Sequence, residues 1–229
     1  MKRNKSYTLA SIMLIIFTFV MILGTSIYAE TNDAMSKSQN FDSIFNDLSR
    51  LELKTERTIL RSVCEDDLKS IFECRQSIKG ALDPSICDVQ NLEDVKKEFN
   101  VTKQFENMKI GLQFSIFKRD TGNYLGSINI TSMWYQNNGF VKLNLGGDIS
   151  QQYQNKGYMT EVLKYISDYL LATYSDVYRL EWGTLEGNIS SEKCALSAGF
   201  EFEGTKRNDM FFNRHVWNFK VYSKIKNLF

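Results

Sequence analysis

Gln154-Asn155-Lys156-Gly157-Tyr158-Met159 is the stretch that decides the fold. It separates two segments of different period. Upstream, Val141, Leu143, Leu145, Gly147 and Ile149 fall on every second position, the period of a strand. Downstream, Met159, Val162, Leu163, Ile166, Tyr169 and Leu170 recur at three- and four-residue spacing, the apolar stripe of an amphipathic helix. The six residues are therefore a strand-to-helix turn. The first turn of a helix has unpaired N–H groups and a partial positive charge. A turn that aims those groups at one point binds phosphate. Gly157 permits close backbone approach and Lys156 adds a cation. The same residues would also serve an ordinary turn with a solvated lysine.

Working outward, Leu53–Val63 reads as a first strand. Glu65, Asp66 and Asp67 suit a helix start, and Leu68, Ile71 and Phe72 give that helix its face. Asn91 caps a second helix with Leu92, Val95 and Phe99 on one side. Ile110, Leu112, Phe114 and Ile116 alternate as a strand. The turn Asp120-Thr121-Gly122-Asn123 leads into its partner, Tyr124 to Trp134. Val141–Ile149 is the fourth strand and Tyr178–Thr184 the fifth. Asn188 to Ala198 is a helix closed by Gly199, a residue suited to left-handed geometry. Phe200–Thr205 and His215–Tyr222 finish the domain. The order β-α-α-β-β-β-α-β-α-β-β predicts an α/β (α+β) domain, a mixed sheet of about seven strands with helices on both faces.

The chain has 229 residues, 43% hydrophobic and 13% aromatic, enough for a packed core. Its net charge of +1 gives no basic field of the kind that binds nucleic acid. The N-terminus differs from the rest. Lys2, Arg3 and Lys5 precede an uncharged run from Ser6 to Ala29 with an apolar centre, Ile12–Leu23. Residues 1–29 read as a secretory signal, or as a single membrane anchor through residues 7–28. The expected location is therefore exported (secreted or periplasmic) or membrane-anchored, with cytoplasmic action still open. Removal of 1–29 would take three basic and no acidic residues, moving the charge from +1 to −2. Residues 30–50 read as a polar linker ending in a helical turn near Phe41–Leu48, with the folded domain over 51–229. Cys64, Cys74, Cys87 and Cys194 form no C-x-x-C pair, which argues against a zinc site. An exported chain could join two of the first three; four unpaired thiols are the other reading.

Together the turn and the later strings resemble the GNAT superfamily of acyl-CoA-dependent N-acyltransferases. The family pattern at the turn is Gln or Arg, two residues, Gly, any residue, then Gly or Ala. This chain has Gln154 and Gly157 in place and Met159 where the small residue stands. Tyr158-Met159-Thr160-Glu161, the first-strand string Leu53-Lys54-Thr55-Glu56-Arg57-Thr58-Ile59-Leu60-Arg61, and Asn188-Ile189-Ser190-Ser191 through Gly199-Phe200 and Glu203-Gly204 resemble the ribosomal-protein N-terminal acetyltransferase subgroup.

The resemblance implies a cosubstrate, acetyl-CoA or another acyl-CoA, between the fourth and fifth strands, and no metal. Gln154, Asn155, Lys156, Gly157, Tyr158 and Met159 would form its pyrophosphate cradle. Ile149 would pair with the pantetheine arm. Asn188 would contact that arm or order a water, and Ser191 would sit near the thioester sulfur, able to give the departing thiolate a proton; both also suit a helix-capping pair. The implied reaction is direct acyl transfer to a primary amine, a protein N-terminus or a small amine, with no covalent enzyme intermediate. Cys194 is accordingly expected to be a buried helix residue. The subgroup's carboxylate position before the turn is Gln151 here, leaving Asp148 as the candidate base, with water-relayed deprotonation and no single essential base also open. Asn218 stands where the subgroup has an aspartate, beside the sole histidine, His215. These departures leave open an acyl-CoA- or partner-binding module without turnover.

Overall fold

The computed structural model describes residues 44–78, 89–135, 141–212 and 214–226. The N-terminal segment 1–29 and Cys87 lie outside the described residues. Residues 44–50 form a helix, α1. There follow β1 (Glu52–Lys54), β2 (Thr58–Ser62), α2 (Leu68–Ser77), α3 (Leu92–Asn107), β3 (Gly111–Lys118), β4 (Tyr124–Tyr135), β5 (Val141–Ile149), α4 (Tyr158–Thr173), β6 (Val177–Leu185), α5 (Ile189–Ser197), β7 (Glu201–Phe212) and β8 (His215–Ile225). The strands form one sheet of order β1-β2-β3-β4-β5-β6-β8-β7. All pairs are antiparallel except β5–β6, which is parallel and connected by α4. A parallel neighbour requires such a crossover, so the amphipathic helix sits where topology needs it.

The sheet is covered on both faces. Successive β4 residues show this: Leu125 joins the main core, and Tyr124 packs against the smaller cluster of Val63, Leu68, Ile71, Val89 and Val95 under α2 and α3. In the main core, Val162, Leu163, Ile166 and Leu170 of α4 are fully buried with Phe114, Ile128 and Leu145. Each such aliphatic side chain contributes about 1.5–3 kcal/mol by leaving water. Ile44, Phe45 and Leu48 of α1 belong to the same core, so packing begins ahead of Leu51.

The expected first strand is two strands. Leu53 pairs with Leu60 across an antiparallel turn over Thr55–Arg57. Thr55 Oγ1 accepts from the Thr58 N–H at 2.9 Å, a local bond that turns the chain back. This brings the total among the described residues to eight. β7 also runs further than expected, to Phe212, past a register shift between Lys206 and Met210 where Asn208 has φ 53°. Asn91 caps α3 as predicted, its side chain accepting from Asp94 N, whereas Leu92 is exposed. Gly199 closes α5 with φ 86°. No helix among the described residues is long and apolar enough to cross a membrane.

Candidate active site

The parallel pairing of β5 and β6 stops at Leu145 and Trp182. Beyond it, β5 continues to Ile149 on β4, where Ile149 lies opposite Gly126. Past Trp182, β6 continues to Leu185 on β8, where Leu185 lies opposite Phe219. The two strands thus part, leaving a fork with an open edge on each side. Close packing maintains its flanks: a Cβ on Gly126 would lie 2.0 Å from Asp148 O, and one on Gly183 would lie 2.3 Å from the Phe219 ring.

The predicted phosphate turn stands at the outer end of β5. A short 3-10 turn, Gln151–Tyr153, precedes it. Asn155 (φ 58°) and Gly157 (φ 78°) are both left-handed. Asparagine tolerates this conformation and glycine has no Cβ to oppose it. Among the described residues, the N–H groups of Asn155, Lys156, Gly157, Tyr158, Met159 and Thr160 have no protein acceptor. Successive free donors at a helix start form an anion-binding concavity. Gln154 bonds back to the strand, its Nε2 donating to Ile149 O at 3.0 Å. Lys156 Nζ donates to Gln152 O at 2.8 Å and stays exposed. Met159 packs against the main core, its Cε 2.9 Å from where a Cβ on Gly147 would sit; β5 needs glycine there because that Cβ would also lie 2.4 Å from the backbone Ser127 O.

Three residues that brace this turn were missed as site residues by sequence reasoning. Glu161, in the first turn of α4, accepts from Thr55 Oγ1 at 2.5 Å and from Arg57 N at 2.9 Å, and it forms an ion pair with Arg57. Burial pushes its carboxyl pKa up, but the Thr55 and Arg57 hydrogen bonds outweigh this and hold it below the ordinary value. Arg57 in turn donates to Lys156 O at 3.0 Å and covers the Tyr158 ring at 4.6 Å. An acidic residue in a first helical turn is a readable signal; its partners more than a hundred residues away are not. Beside the turn, rather than in the fork, lies a depression of about 480 Å3 lined by Glu56, Arg57, Lys118, Arg119, Asp120 and Tyr158.

On the other side of the fork, Asn188 caps α5, its Oδ1 accepting from Ser191 N at 3.3 Å. Ser191 Oγ accepts from Trp182 Nε1 at 2.8 Å. The structure therefore brings Asn188 and Ser191 together with the residue at which the strands part. Asp148 lies inside the β5 end, buried with Arg75 Nε 3.1 Å away. Its other oxygen accepts from Ser127 N at 3.1 Å and Ser127 Oγ at 3.2 Å. Burial, then the Asp148 charge, push the neighbouring Cys74 thiol up to about 12. Gln151 follows β5, its N–H donating to Ser77 Oγ. Asn218 accepts from Asn208 N and donates to Glu186 Oε2 at 2.8 Å, just past the end of β6. His215 is exposed at the start of β8, edge-on to Trp217. Cys194 is buried, and burial pushes its thiol up to about 11. Among the described residues, no group of three His, Cys, Asp or Glu side chains could hold a metal ion.

A family model described as "Acetyltransferase (GNAT) domain" matches residues 57–201. A curated relative, the uncharacterized N-acetyltransferase YoaA of Bacillus subtilis (strain 168), is 24% identical over 177 residues, covering 76% of this chain and 96% of that protein. Among solved structures, the acetyl transferase of Salmonella typhimurium that modifies the N-terminal serine of 50S ribosomal subunit protein L7/L12 superposes with a TM-score of 0.67. It is 15% identical and covers 76% of this chain and 97% of that one. The microcin C7 self-immunity acetyltransferase MccE, in complex with acetyl-CoA and AMP, gives 0.66 at 18% identity, covering 78% and 98%. At such identities these two structures establish a shared fold. The free donors at the start of α4 and the fork beside them fit the diphosphate and arm of the cosubstrate used in that family. By the family match, which spans more than half of its length, the chain belongs to the acetyl-CoA-dependent GNAT acetyltransferases.

Proposed function

We propose that the protein moves an acetyl group from acetyl-CoA to a primary amine by direct attack of the amine. One observation carries the reading: the six free N–H groups of residues 155–160 stand at the outer end of the same strand, β5, that parts from β6. The turn would hold the pyrophosphate, with Arg57 and Glu161 keeping its shape. The edge of β5 near Ile149 would pair with the pantetheine arm. Acetyl-CoA supplies an activated thioester. An ammonium ion cannot attack it, so the acceptor nitrogen must lose a proton first. Asp148 is already committed to Arg75 and Ser127, so we assign that proton to water, with Asp148 positioning the end of β5. Backbone N–H groups freed where the strands part are suited to the charge that develops on the acyl oxygen. Asn188 would order the arm, and Ser191 would face the sulfur.

For the acceptor, the proposal is a protein N-terminus, the substrate class of the Salmonella relative, with a small amine as the competing case. An export or anchor segment at residues 1–29 remains part of this proposal, tested by the mass of the mature protein. Calorimetry of the full-length protein with acetyl-CoA tests the cofactor site. Wild type should bind, and Gly157→Glu should abolish binding by bulk and charge. A folded wild type that does not bind would overturn the reading.

A further inference from the structure

Trp182 is the last β6 residue paired with β5, opposite Leu145. It is only 4% exposed, and its Nε1 donates to Ser191 Oγ at 2.8 Å. An indole nitrogen is a donor only, whereas a serine hydroxyl both donates and accepts. In this pair the Ser191 oxygen must therefore accept. Its single proton is left to point elsewhere, and among the described residues no protein acceptor takes it. The Ser191 backbone N–H is already tied to Asn188 Oδ1, which fixes the residue in the first turn of α5. There the helix adds partial positive charge. A hydroxyl with no such donor beside it rotates among staggered positions and offers an oxygen as readily as a proton.

We propose that Trp182 is a positioning residue whose N–H, by occupying one lone pair of Ser191 Oγ, favours donation of the Ser191 proton to the sulfur of coenzyme A. This rests on the assignment of acetyl-CoA to the β5–β6 fork. In the transfer, the amine lone pair forms the N–C bond, and the C–S bond breaks with its electron pair left on sulfur. The proton lost by nitrogen passes to solvent. Ser191 holds the sulfur anion by a hydrogen bond and keeps its own proton, so it needs no reprotonation between turnovers. Trp182 acts through Ser191: its N–H excludes the orientation that turns the Ser191 proton toward the indole, which leaves that proton free for the leaving anion.

Coenzyme A itself reports this without any acceptor, because its thiolate absorbs in the ultraviolet and its thiol does not. The full-length protein saturated with coenzyme A is titrated with base as wild type, Trp182→Phe, Ser191→Ala and the double variant. Ser191→Ala should raise the ionisation midpoint of the bound thiol by about one to two pH units, the worth of a hydrogen bond to a charged group. Trp182→Phe should raise it by part of that shift, and the double variant should match Ser191→Ala, since both act through one bond. Placing 3-benzothienylalanine at position 182 keeps the ring and exchanges N–H for S. It should reproduce the Phe result, which lost packing alone would not. Trp182 variants with the wild-type midpoint, or shifts that add to that of Ser191→Ala, would overturn the proposal. Failure of folded wild type to bind coenzyme A would instead sink the fork assignment beneath it.

Discussion

Replacing Gly157 with alanine isolates the geometry of the phosphate turn. Gly157 has φ 78° and ψ 5° as the N-cap of α4. A Cβ there would meet only Arg57 Nη2, at 3.5 Å, an ordinary contact. Crowding therefore contributes little, and the cost is that of holding an L-residue in left-handed geometry, about 1–2 kcal/mol. If the turn relaxes to escape that strain, the N–H groups of Gly157 and Tyr158 no longer converge with those of their neighbours. The same 1–2 kcal/mol then appears in binding, as roughly a 5–30-fold weaker affinity for acetyl-CoA. Calorimetry at fixed ionic strength measures it, with a thermal melt to confirm folding. Asn155→Gly serves as the control: Asn155 is also left-handed, so glycine should leave affinity near wild type. Wild-type affinity in a fully stable Gly157→Ala variant would refute the idea that left-handed geometry builds the cradle.

Asp148→Asn should destabilise the fold by about 3–5 kcal/mol, because it breaks a buried ion pair by removing the Asp148 charge that faces Arg75; urea denaturation measures it. Gly147→Ala should cost about 1–3 kcal/mol in the same assay, since the new Cβ would lie 2.4 Å from Ser127 O. Hydrogen bonding from Arg179, against some burial, holds the Glu203 carboxyl at about 2, below the unfolded value of about 4.3. Its contribution is thus present above pH ~4.3 and lost as pH falls toward 2, so Glu203→Gln should flatten that part of the stability–pH curve.

Local codes were legible and distant ones were not. The stripe of α4, the Asn91 cap and the Gly199 stop follow from spacing within one or two turns. The turn Gln154–Met159 was equally readable, because a strand period and a helix period meet there. What made it a brace was hidden: Glu161 reaches Thr55 and Arg57 across the chain, and nothing in the string Thr55-Glu56-Arg57 announces that a turn interrupts the apolar alternation. Leu53 and Leu60 face the same core on either side of it, so the pattern reads as one strand. In the same way, the polar run Lys206-Arg207-Asn208-Asp209 looks like a loop but is an irregular stretch of a long strand. The partners of Asp148 and Ser191 are tertiary facts as well. Asp148 meets Arg75 only because α2 packs near the β5 end, and Ser191 meets Trp182 only because β6 and α5 fold back on one another.

The central claim is acetyl transfer to an amine. The most direct measurement incubates the full-length protein with isotopically labelled acetyl-CoA and a mixture of peptides bearing free N-termini. Mass spectrometry then locates the label while free thiol is counted. The account predicts labelled acetyl groups on primary amines, one thiol released for each, and loss of both in Gly157→Glu. A protein that binds acetyl-CoA yet leaves every amine unlabelled and releases no thiol would contradict it.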